Sequence, residues 1–198
     1  MPVPFVIYAD FESLTTKIEG PKLDPSKSNT QKTQHHEACG YSFVVVRCDG
    51  RTNPPTKCRG PNAADHFLRT VQEEERKIKE VLSKPRTLEM TPEDWEAYNT
   101  ATTCHVCEKP MQQDKVRDHC HITGKYRGAA HNTCNLKLRL NPKTTIIPVV
   151  FHNLRGYDCH LLMQAISKVD GSISCIPNNM ESKERRVKLR KCCPNQEA

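Results

Sequence analysis

Cysteine and histidine residues occur at the spacing of a metal site between residues 104 and 135. Cys104 and Cys107 form a Cys-x-x-Cys pair, His131 and Cys134 form a second pair with the same spacing, and 23 residues separate the two pairs. Two tight turns that each present two soft ligands are what a tetrahedral structural zinc requires. We therefore expect zinc on these four residues. Because structural zinc sites are common, the spacing alone does not separate a nucleic-acid-binding module from an enzyme.

The loop between the two pairs carries polar residues of the kind that nucleases use. Asp118 and His119 are adjacent, His121 follows, and Asn135 comes directly after the last cysteine. A zinc-stapled loop of this size buries little, so these side chains are displayed rather than hidden. The pattern predicts two short strands, at 116–122 and 125–128, around a Thr-Gly turn, and then a helix over 131–140. A hairpin and a helix that carry Asp, His and Asn are typical of a ββα-metal nuclease.

The run DHCHITGKYRGAAHNTCN and the upstream CHVC resemble the phage recombination endonuclease VII group of HNH nucleases. The resemblance implies structural zinc on the two ligand pairs and a catalytic Mg²⁺ on Asp118 and Asn135. It also implies that His119 is the general base that activates water. The chemistry agrees, because a neutral imidazole accepts a proton near pH 7 and Mg²⁺ stabilises charge on the phosphate and the leaving oxygen.

Other residues of the module are candidates for contacts with DNA. His121 is expected to bind or orient the scissile phosphate, and a structural role on the hairpin is the alternative. Contacts with the DNA backbone would supply affinity without sequence specificity, and they are expected from Arg117, Lys125, Arg127, Lys137 and Arg139. The competing hypothesis is a zinc-stapled module that binds DNA and cuts nothing.

Three carboxylates outside the module follow apolar runs. Asp10 and Glu12 come after Phe5 to Ala9, which we expect to form a central strand buried on both faces, with the two carboxylates at its end. Residues two apart on an extended chain point the same way, so both can reach one metal cluster. A second buried strand is expected over 145–151, and Asp158 then stands at a strand-to-helix junction.

The segments YADFES, RGPNAADHFLRTVQEE and PVVFHNLRGYDCHLL, in this order around the zinc module, resemble the amino-terminal part of protein-primed family B DNA polymerases of the organellar, viral and large DNA-transposon type. The resemblance implies an α/β fold: a ribonuclease H-like 3′-5′ exonuclease-type mixed sheet flanked by helices, interrupted by the HNH insert. In that family four carboxylates hold two metal ions for proofreading, and only Asp10, Glu12 and Asp158 are found here. We expect weak or absent exonuclease activity, and no polymerisation, since the palm and fingers are missing.

The remaining segments give the expected organisation. Residues 14–38 are polar and predict a loop, 38–48 a strand, and 62–84 an amphipathic helix; Thr91 caps a short helix that begins at Pro92. We expect the first part of the exonuclease-like domain at 1–100, the zinc insert at 101–142, the second part at 143–180, and a disordered basic tail at 181–198.

Composition limits the classes of partner. The 198 residues include 30 Lys and Arg against 23 Asp and Glu, a net charge of +7 that favours a polyanionic partner.

The 11 cysteines, with no signal peptide in view, are expected to be reduced thiols or metal ligands in an intracellular protein, in the nucleus rather than the cytoplasm. We expect DNA as partner and no membrane; the sequence does not identify protein partners. The resulting hypothesis is a polymerase-related chain whose HNH module is a Mg²⁺-dependent DNA endonuclease; the alternative is a non-catalytic DNA-binding remnant of a transposon or viral polymerase.

Overall fold

The computed structural model describes residues 3–18, 34–152, 158–166, 173–176 and 186–189. The chain divides into two compact units. Unit 1 comprises Met1–Pro4 and Glu74–Ile146, and unit 2 comprises Phe5–Glu73 and Ile147–Ala198. The compact unit that contains the zinc module is therefore larger than the predicted insert at 101–142. Within the described ranges, no helix is both long enough and apolar enough to cross a membrane.

Unit 2 contains a mixed sheet. Its described strands are β1 (Phe5–Lys17), β2 (Gln34–Arg47), β3 (Thr56–Arg59), and β6 to β8 (Val149–Phe151, Ile173–Ile176 and Arg186–Leu189). They lie in the order β3-β2-β1-β6-β8-β7. Only β6 runs parallel to its neighbour β1, and the other described pairs are antiparallel. The prediction of an α/β chain with a mixed sheet is confirmed.

Strand β1 is central in the sheet but differs from its prediction in two ways. Its burial alternates, with Phe5, Ile7, Ala9 and Phe11 inside and Tyr8, Asp10 and Glu12 exposed, so only one face is buried. It also continues to Lys17, which places Asp10 and Glu12 within the strand rather than at its end. An unbroken apolar run does not distinguish a strand buried on both faces from one that is half exposed, because Val and Tyr are good strand residues in either setting.

The predicted loop over 14–38 is wrong at both of its ends. Residues Leu14 to Lys17 pair with Gln34 to Glu37 as an extension of the β1–β2 ladder, beyond a register shift at Glu12 and Ser13. The extension is mostly exposed, so backbone hydrogen bonds rather than a hydrophobic face hold it together. Because both faces of such a ribbon are mostly polar, its sequence lacks the alternation of apolar and polar residues that predicts a strand. Residues 19–33 lie outside the described part of the chain.

An aromatic cluster forms the core of unit 2. Phe11 contacts Phe67 edge-on at 4.9 Å between ring centroids and stacks on Phe151 at 5.8 Å. Tyr41 meets Phe67 at 5.2 Å, and its hydroxyl lies 2.8 Å from Nδ1 of His66. Phe67 and His66 belong to α1 (Ala63–Ser83), the helix predicted over 62–84. The cluster thus packs the first half of α1 against β1, β2 and β6.

Unit 1 contains α2 (Pro92–Thr100), β4 (Lys115–His119), β5 (Tyr126–His131) and α3 (Asn132–Lys137). Thr91 caps α2 as predicted, in a capping box with Asp94. The strands β4 and β5 form the expected antiparallel hairpin. Helix α3 is shorter than the predicted 131–140. After Lys137, the N–H groups of Leu138 and Arg139 donate to carbonyls three residues earlier, as in a 3₁₀ turn, instead of continuing the α-helix. Hairpin and helix follow one another as a ββα unit.

Several predictions concern the carboxyl-terminal part. Strand β6 begins at Val149 rather than at Thr145, and α4 (Cys159–Ile166) follows Asp158 as expected. The motif residues 153–157 lie outside the described residues. The disordered tail predicted over 181–198 is corrected at Arg186–Leu189, which pairs with β6 and β7 as β8; the rest of that tail is outside the described residues.

The buried carboxyl group of Asp158 predicts that the stability of unit 2 depends on pH. Burial, and then the negative charge of Asp10, raise the pKa of Asp158 to about 6, while His152 opposes the shift. A raised pKa means that unit 2 loses stability as pH rises from about 4, the usual pKa of Asp, through 6. Relative to wild type, Asp158→Asn should gain up to about 3 kcal/mol in free energy of unfolding between pH 4 and pH 7. Circular dichroism in urea measures the difference, and a pH-independent difference would contradict the buried carboxylate.

Candidate functional site

Cys104, Cys107, His131 and Cys134 come together as predicted, and their ligand atoms all lie within 4.8 Å of one another. Nδ1 of His131 lies 3.4 Å from Sγ of Cys107 and 4.0 Å from Sγ of Cys134. A tetrahedral zinc with bonds of about 2.0–2.3 Å places neighbouring ligand atoms about 3.5–3.8 Å apart. The donor set and its spacing therefore fit one zinc ion.

Neighbouring groups favour the protonation states of Cys104 and His131 that bind a metal. Burial would raise the pKa of the Cys104 thiol, but backbone N–H groups of Cys107, His131 and Val106, together with the His131 side chain, outweigh burial and lower that pKa to about 6. A thiolate at neutral pH is the form that binds zinc. Nε2 of His131 lies 3.1 Å from the carbonyl of Pro110, which can only accept, so the ring donates there. The lone pair of Nδ1 is then directed at the site.

The Cys-x-x-Cys pair is held in a tight turn. The N–H of Glu108 donates to the carbonyl of Cys104 at 2.8 Å, and the N–H of Cys104 donates to the carbonyl of Lys109 at 2.9 Å. Glu108 itself has a φ of 60°, in the left-handed region that costs free energy for a residue with a Cβ. The turn is thus kept in spite of backbone strain, as expected where metal ligands fix its shape.

His119, His121 and Asn135 lie together in one surface cleft of unit 1. The cleft has a volume of about 930 Å³, and Arg86 and Arg139 also line it. Its walls include apolar residues of the helix ends and of the 140–142 segment, namely Leu82, Leu136, Leu140 and Pro142. Two histidines and an amide beside two arginines suit a phosphate group, because arginine matches phosphate oxygens in charge and geometry.

The orientation of His119 follows from one hydrogen bond. Its Nε2 lies 3.3 Å from the carbonyl oxygen of Arg86, in the segment that pairs alongside the hairpin through the bonds of Arg86 to His121 and of Glu89 to Gly124. A carbonyl oxygen only accepts, so in the neutral ring Nε2 carries the proton and Nδ1 keeps the lone pair. If His119 is a general base, Nδ1 is therefore the atom that accepts the proton.

The ring of His121 lies beside that of His119, with centroids 4.9 Å apart and ring planes tilted by 51°. Burial lowers the pKa of His121, the electrostatic interaction with the nearby His119 ring and the positive charges of Arg127 and Arg139 lower it further, and Asp118 opposes them. The His121 imidazole is therefore neutral near pH 7. A neutral ring in this position can donate one hydrogen bond to a phosphate oxygen without adding to the positive charge of the cleft.

Asp118 is held differently from its neighbours. It is fully buried and is not among the residues that line the cleft. Arg127 forms a bidentate pair with it, at 2.7 Å to Oδ1 and 2.9 Å to Oδ2, and Nε2 of His105 lies 2.8 Å from Oδ2. Sequence reasoning missed His105, because a histidine inside a Cys-x-x-Cys pair is usually a surface residue and no spacing rule links it to a carboxylate on β4.

The basic residues predicted to contact DNA have different surroundings. Lys125, Lys137 and Arg139 are exposed. The guanidinium of Arg117 lies over the ring of Trp95, 5.1 Å from its centroid. Arg127 directs its guanidinium at Asp118, and 29% of its side chain stays exposed. Of the five predicted contacts, Arg139 alone lies in the cleft lining.

The three exonuclease-like carboxylates do not form a comparable cluster in the described structure. Asp10 and Glu12 are exposed on β1, whereas Asp158 is buried. Asp10 is near enough for its charge to act on Asp158. In the described part of the chain, however, the zinc ligands are the only group of three or more Cys, His, Asp or Glu side chains within metal-binding distance.

The zinc assignment predicts the effect of removing one ligand. The full chain should bind one zinc, and Cys107→Ala should weaken binding by more than about 100-fold, since loss of an outer-shell partner alone costs about 10–100-fold. His131→Cys keeps a soft ligand and should retain the metal. A competition titration with a chromogenic chelator measures these affinities, with Cys48→Ala, at an exposed cysteine, as control. Unchanged zinc affinity in Cys107→Ala would contradict the ligand set.

Comparison with known proteins gives one similarity. Residues 81–146, about a third of the chain, match the family model described as recombination endonuclease VII. No curated protein and no solved structure matches the chain. The matched range lies within unit 1 and contains the four zinc ligands, His119, His121 and Asn135, but none of the carboxylates of unit 2. Residues 81–146 are thus similar to a family of recombination endonucleases, for which DNA is the implied substrate.

Proposed function

We propose that unit 1 is an HNH-type DNA endonuclease that hydrolyses phosphodiester bonds. The observation that carries the proposal is His119, with Nε2 bonded to the Arg86 carbonyl and Nδ1 free, in a cleft shared with His121 and Asn135. The family match over 81–146 supports the same reaction. Such a protein would act on DNA inside the cell, and we propose the nucleus as the place.

Each residue has a role in the proposed reaction. His119 takes a proton from water at Nδ1, and the resulting positive charge is stabilised by the Arg86 carbonyl at Nε2. His121 donates a hydrogen bond to a phosphate oxygen, and Arg139 supplies positive charge at the same cleft. The exposed Lys125 and Lys137 are proposed to contact the DNA backbone, which gives affinity without sequence specificity.

The proposed catalytic metal is Mg²⁺, held by Asp118 and Asn135, whose carboxylate and amide oxygens are the hard ligands that it prefers. When bound, it would stabilise charge on the phosphate and the leaving oxygen. Oδ1 of Asp118 accepts one hydrogen bond, from Arg127, and so keeps a lone pair. Since Asp118 is fully buried, a local movement has to expose this oxygen to the cleft before it binds the ion.

One observation favours a second candidate, a DNA-binding module that does not cut. Asp118 is engaged by Arg127 and His105 and stands apart from the cleft that contains His119. If Asp118 stays buried when DNA binds, no Mg²⁺ reaches it. The zinc site and the exposed basic residues would then serve binding alone.

We propose for unit 2 the origin that its sequence suggests, an exonuclease-like part of a family B DNA polymerase with a ribonuclease H-like sheet. A central β1 beside the parallel β6, with Asp10 on one and Asp158 after the other, supports the proposal. The exposed Asp10 and Glu12 and the buried Asp158 do not form a metal-binding group in the described structure. We therefore propose that exonuclease activity is weak or absent.

The endonuclease proposal predicts nicking by the zinc-loaded chain. Supercoiled plasmid and branched DNA should be cut when Mg²⁺ is added, and His119→Ala should lower the rate by about 10²–10⁴-fold, the usual contribution of a general base. His35→Ala, at an exposed histidine of β2, is the matched control and should cut at the wild-type rate. Binding without cutting by a folded, zinc-loaded protein would instead establish the second candidate.

The proposal for unit 2 predicts no shortening of a 3′-labelled single strand by the same preparation. The physical reason is that Asp10, Glu12 and Asp158 form no metal-binding group among the described residues, whereas proofreading of this kind needs two metal ions. Gel electrophoresis of the labelled strand measures the outcome. Shortening that survives His119→Ala but disappears in Asp10→Ala would show an active exonuclease site.

A further inference from the structure

His105 lies between two zinc ligands and also reaches the hairpin. Its neighbours Cys104 and, two residues on, Cys107 belong to the metal site. Its own Nε2 lies 2.8 Å from Oδ2 of Asp118, on β4. A single side chain therefore connects the metal-binding turn to the carboxylate that immediately precedes His119.

The close approach of His105 depends on a glycine in β5. A Cβ atom at Gly128 would lie 2.7 Å from Cγ and 2.9 Å from Cβ of His105, closer than a real side chain allows. The backbone N–H of His105 also donates to the carbonyl of Ala129 at 2.9 Å. The ring of His105 is thus seated against the β5 backbone, where its position is set by the strand as well as by the zinc turn.

The other partner of Asp118 completes the network. Arg127 approaches from β5 with two parallel hydrogen bonds of 2.7 and 2.9 Å, a geometry that fixes direction as well as distance. With His105 on Oδ2, the buried carboxylate has three donors from two different segments. A buried carboxylate with several fixed donors has little freedom to rotate.

We propose that His105 is a positioning residue, which transmits the shape of the zinc turn through Asp118 to the backbone that presents His119. The hairpin register shifts between Asp118 and His119, so the direction of the His119 side chain depends on how this irregular step is held. Zinc fixes the turn, the turn fixes His105, and His105 with Arg127 fixes Asp118. The inference deepens the proposed endonuclease function, on which its kinetic part rests.

The test compares three variants of the full, zinc-loaded chain. His105→Ala removes the donor to Asp118, and His105→Gln keeps an N–H donor on a side chain of similar reach. Val106→Ala, at an exposed position in the same turn, is the control. We expect one zinc in each protein, a turnover rate at saturating DNA about tenfold lower for His105→Ala with KM unchanged, and recovery of most of that rate in His105→Gln.

A second measurement does not depend on cleavage. The Nε–H of Arg127 is bonded to Asp118 and should give a slowly exchanging proton signal in nuclear magnetic resonance spectra. We expect wild type to lose the signal when zinc is chelated, His105→Ala to lose it with zinc bound, and Val106→Ala to keep it. Gly128→Ala should behave like His105→Ala, because its methyl group displaces the ring.

The outcomes separate this inference from the endonuclease proposal. A wild-type protein that cuts no DNA would end the endonuclease proposal, while the Arg127 signal would still decide the role of His105. A signal that persists in zinc-loaded His105→Ala, a wild-type cleavage rate in that variant, or no recovery in His105→Gln would overturn the inference. Loss of zinc from His105→Ala would also overturn it, since His105 would then belong to the metal site itself.

Discussion

Closure of the four-ligand site is the constraint on which the organisation of unit 1 depends. Two ligands precede β4, and the other two are His131 at the end of β5 and Cys134 in α3, so a metal ion there joins the chain across the whole hairpin. Between residues 101 and 142, the buried apolar side chains are only Cys104, Ile122, Ala129 and Ala130. Zinc in modules of this size contributes about 10–16 kcal/mol, as much as the whole net stability of a typical domain. Folding of the hairpin is therefore tied to metal binding.

In two histidines of the module, a backbone carbonyl selects which ring nitrogen carries the proton, and the other nitrogen has a different role in each. His131 donates from Nε2 to the carbonyl of Pro110, and His119 donates from Nε2 to the carbonyl of Arg86. Each bond leaves a lone pair on Nδ1. In His131 that lone pair is directed at the metal site, and in His119 it is available to accept a proton. A backbone carbonyl thus sets the tautomer in both cases. A sequence motif does not predict this, because it lists residue types and not their backbone contacts.

Residue types and spacing were sufficient to predict the zinc ligands, the ββα unit, helix α1 and the cap at Thr91. These features depend on contacts between residues near in sequence, or on ligand pairs with a fixed geometry. The His105–Asp118–Arg127 network was not predictable, because it joins three segments through side-chain directions that no periodicity reports. The length of β1 beyond Glu12 was missed for a related reason, since exposed polar strands are held by backbone bonds alone.

Buried charge in this module organises geometry more than it adds stability. Asp118 alone is fully buried, whereas Arg127 and His105 keep 29% and 31% of their side chains exposed. Taking the carboxylate out of water costs desolvation that its donors only offset, and removing Arg127 would leave an uncompensated buried charge. The central claim is that zinc holds this arrangement in place. Hydrogen exchange with and without zinc tests it directly: chelation should remove protection from β4 and β5 while β1 and β2 keep theirs. Protection of β4 and β5 that persists after zinc is removed would contradict the claim.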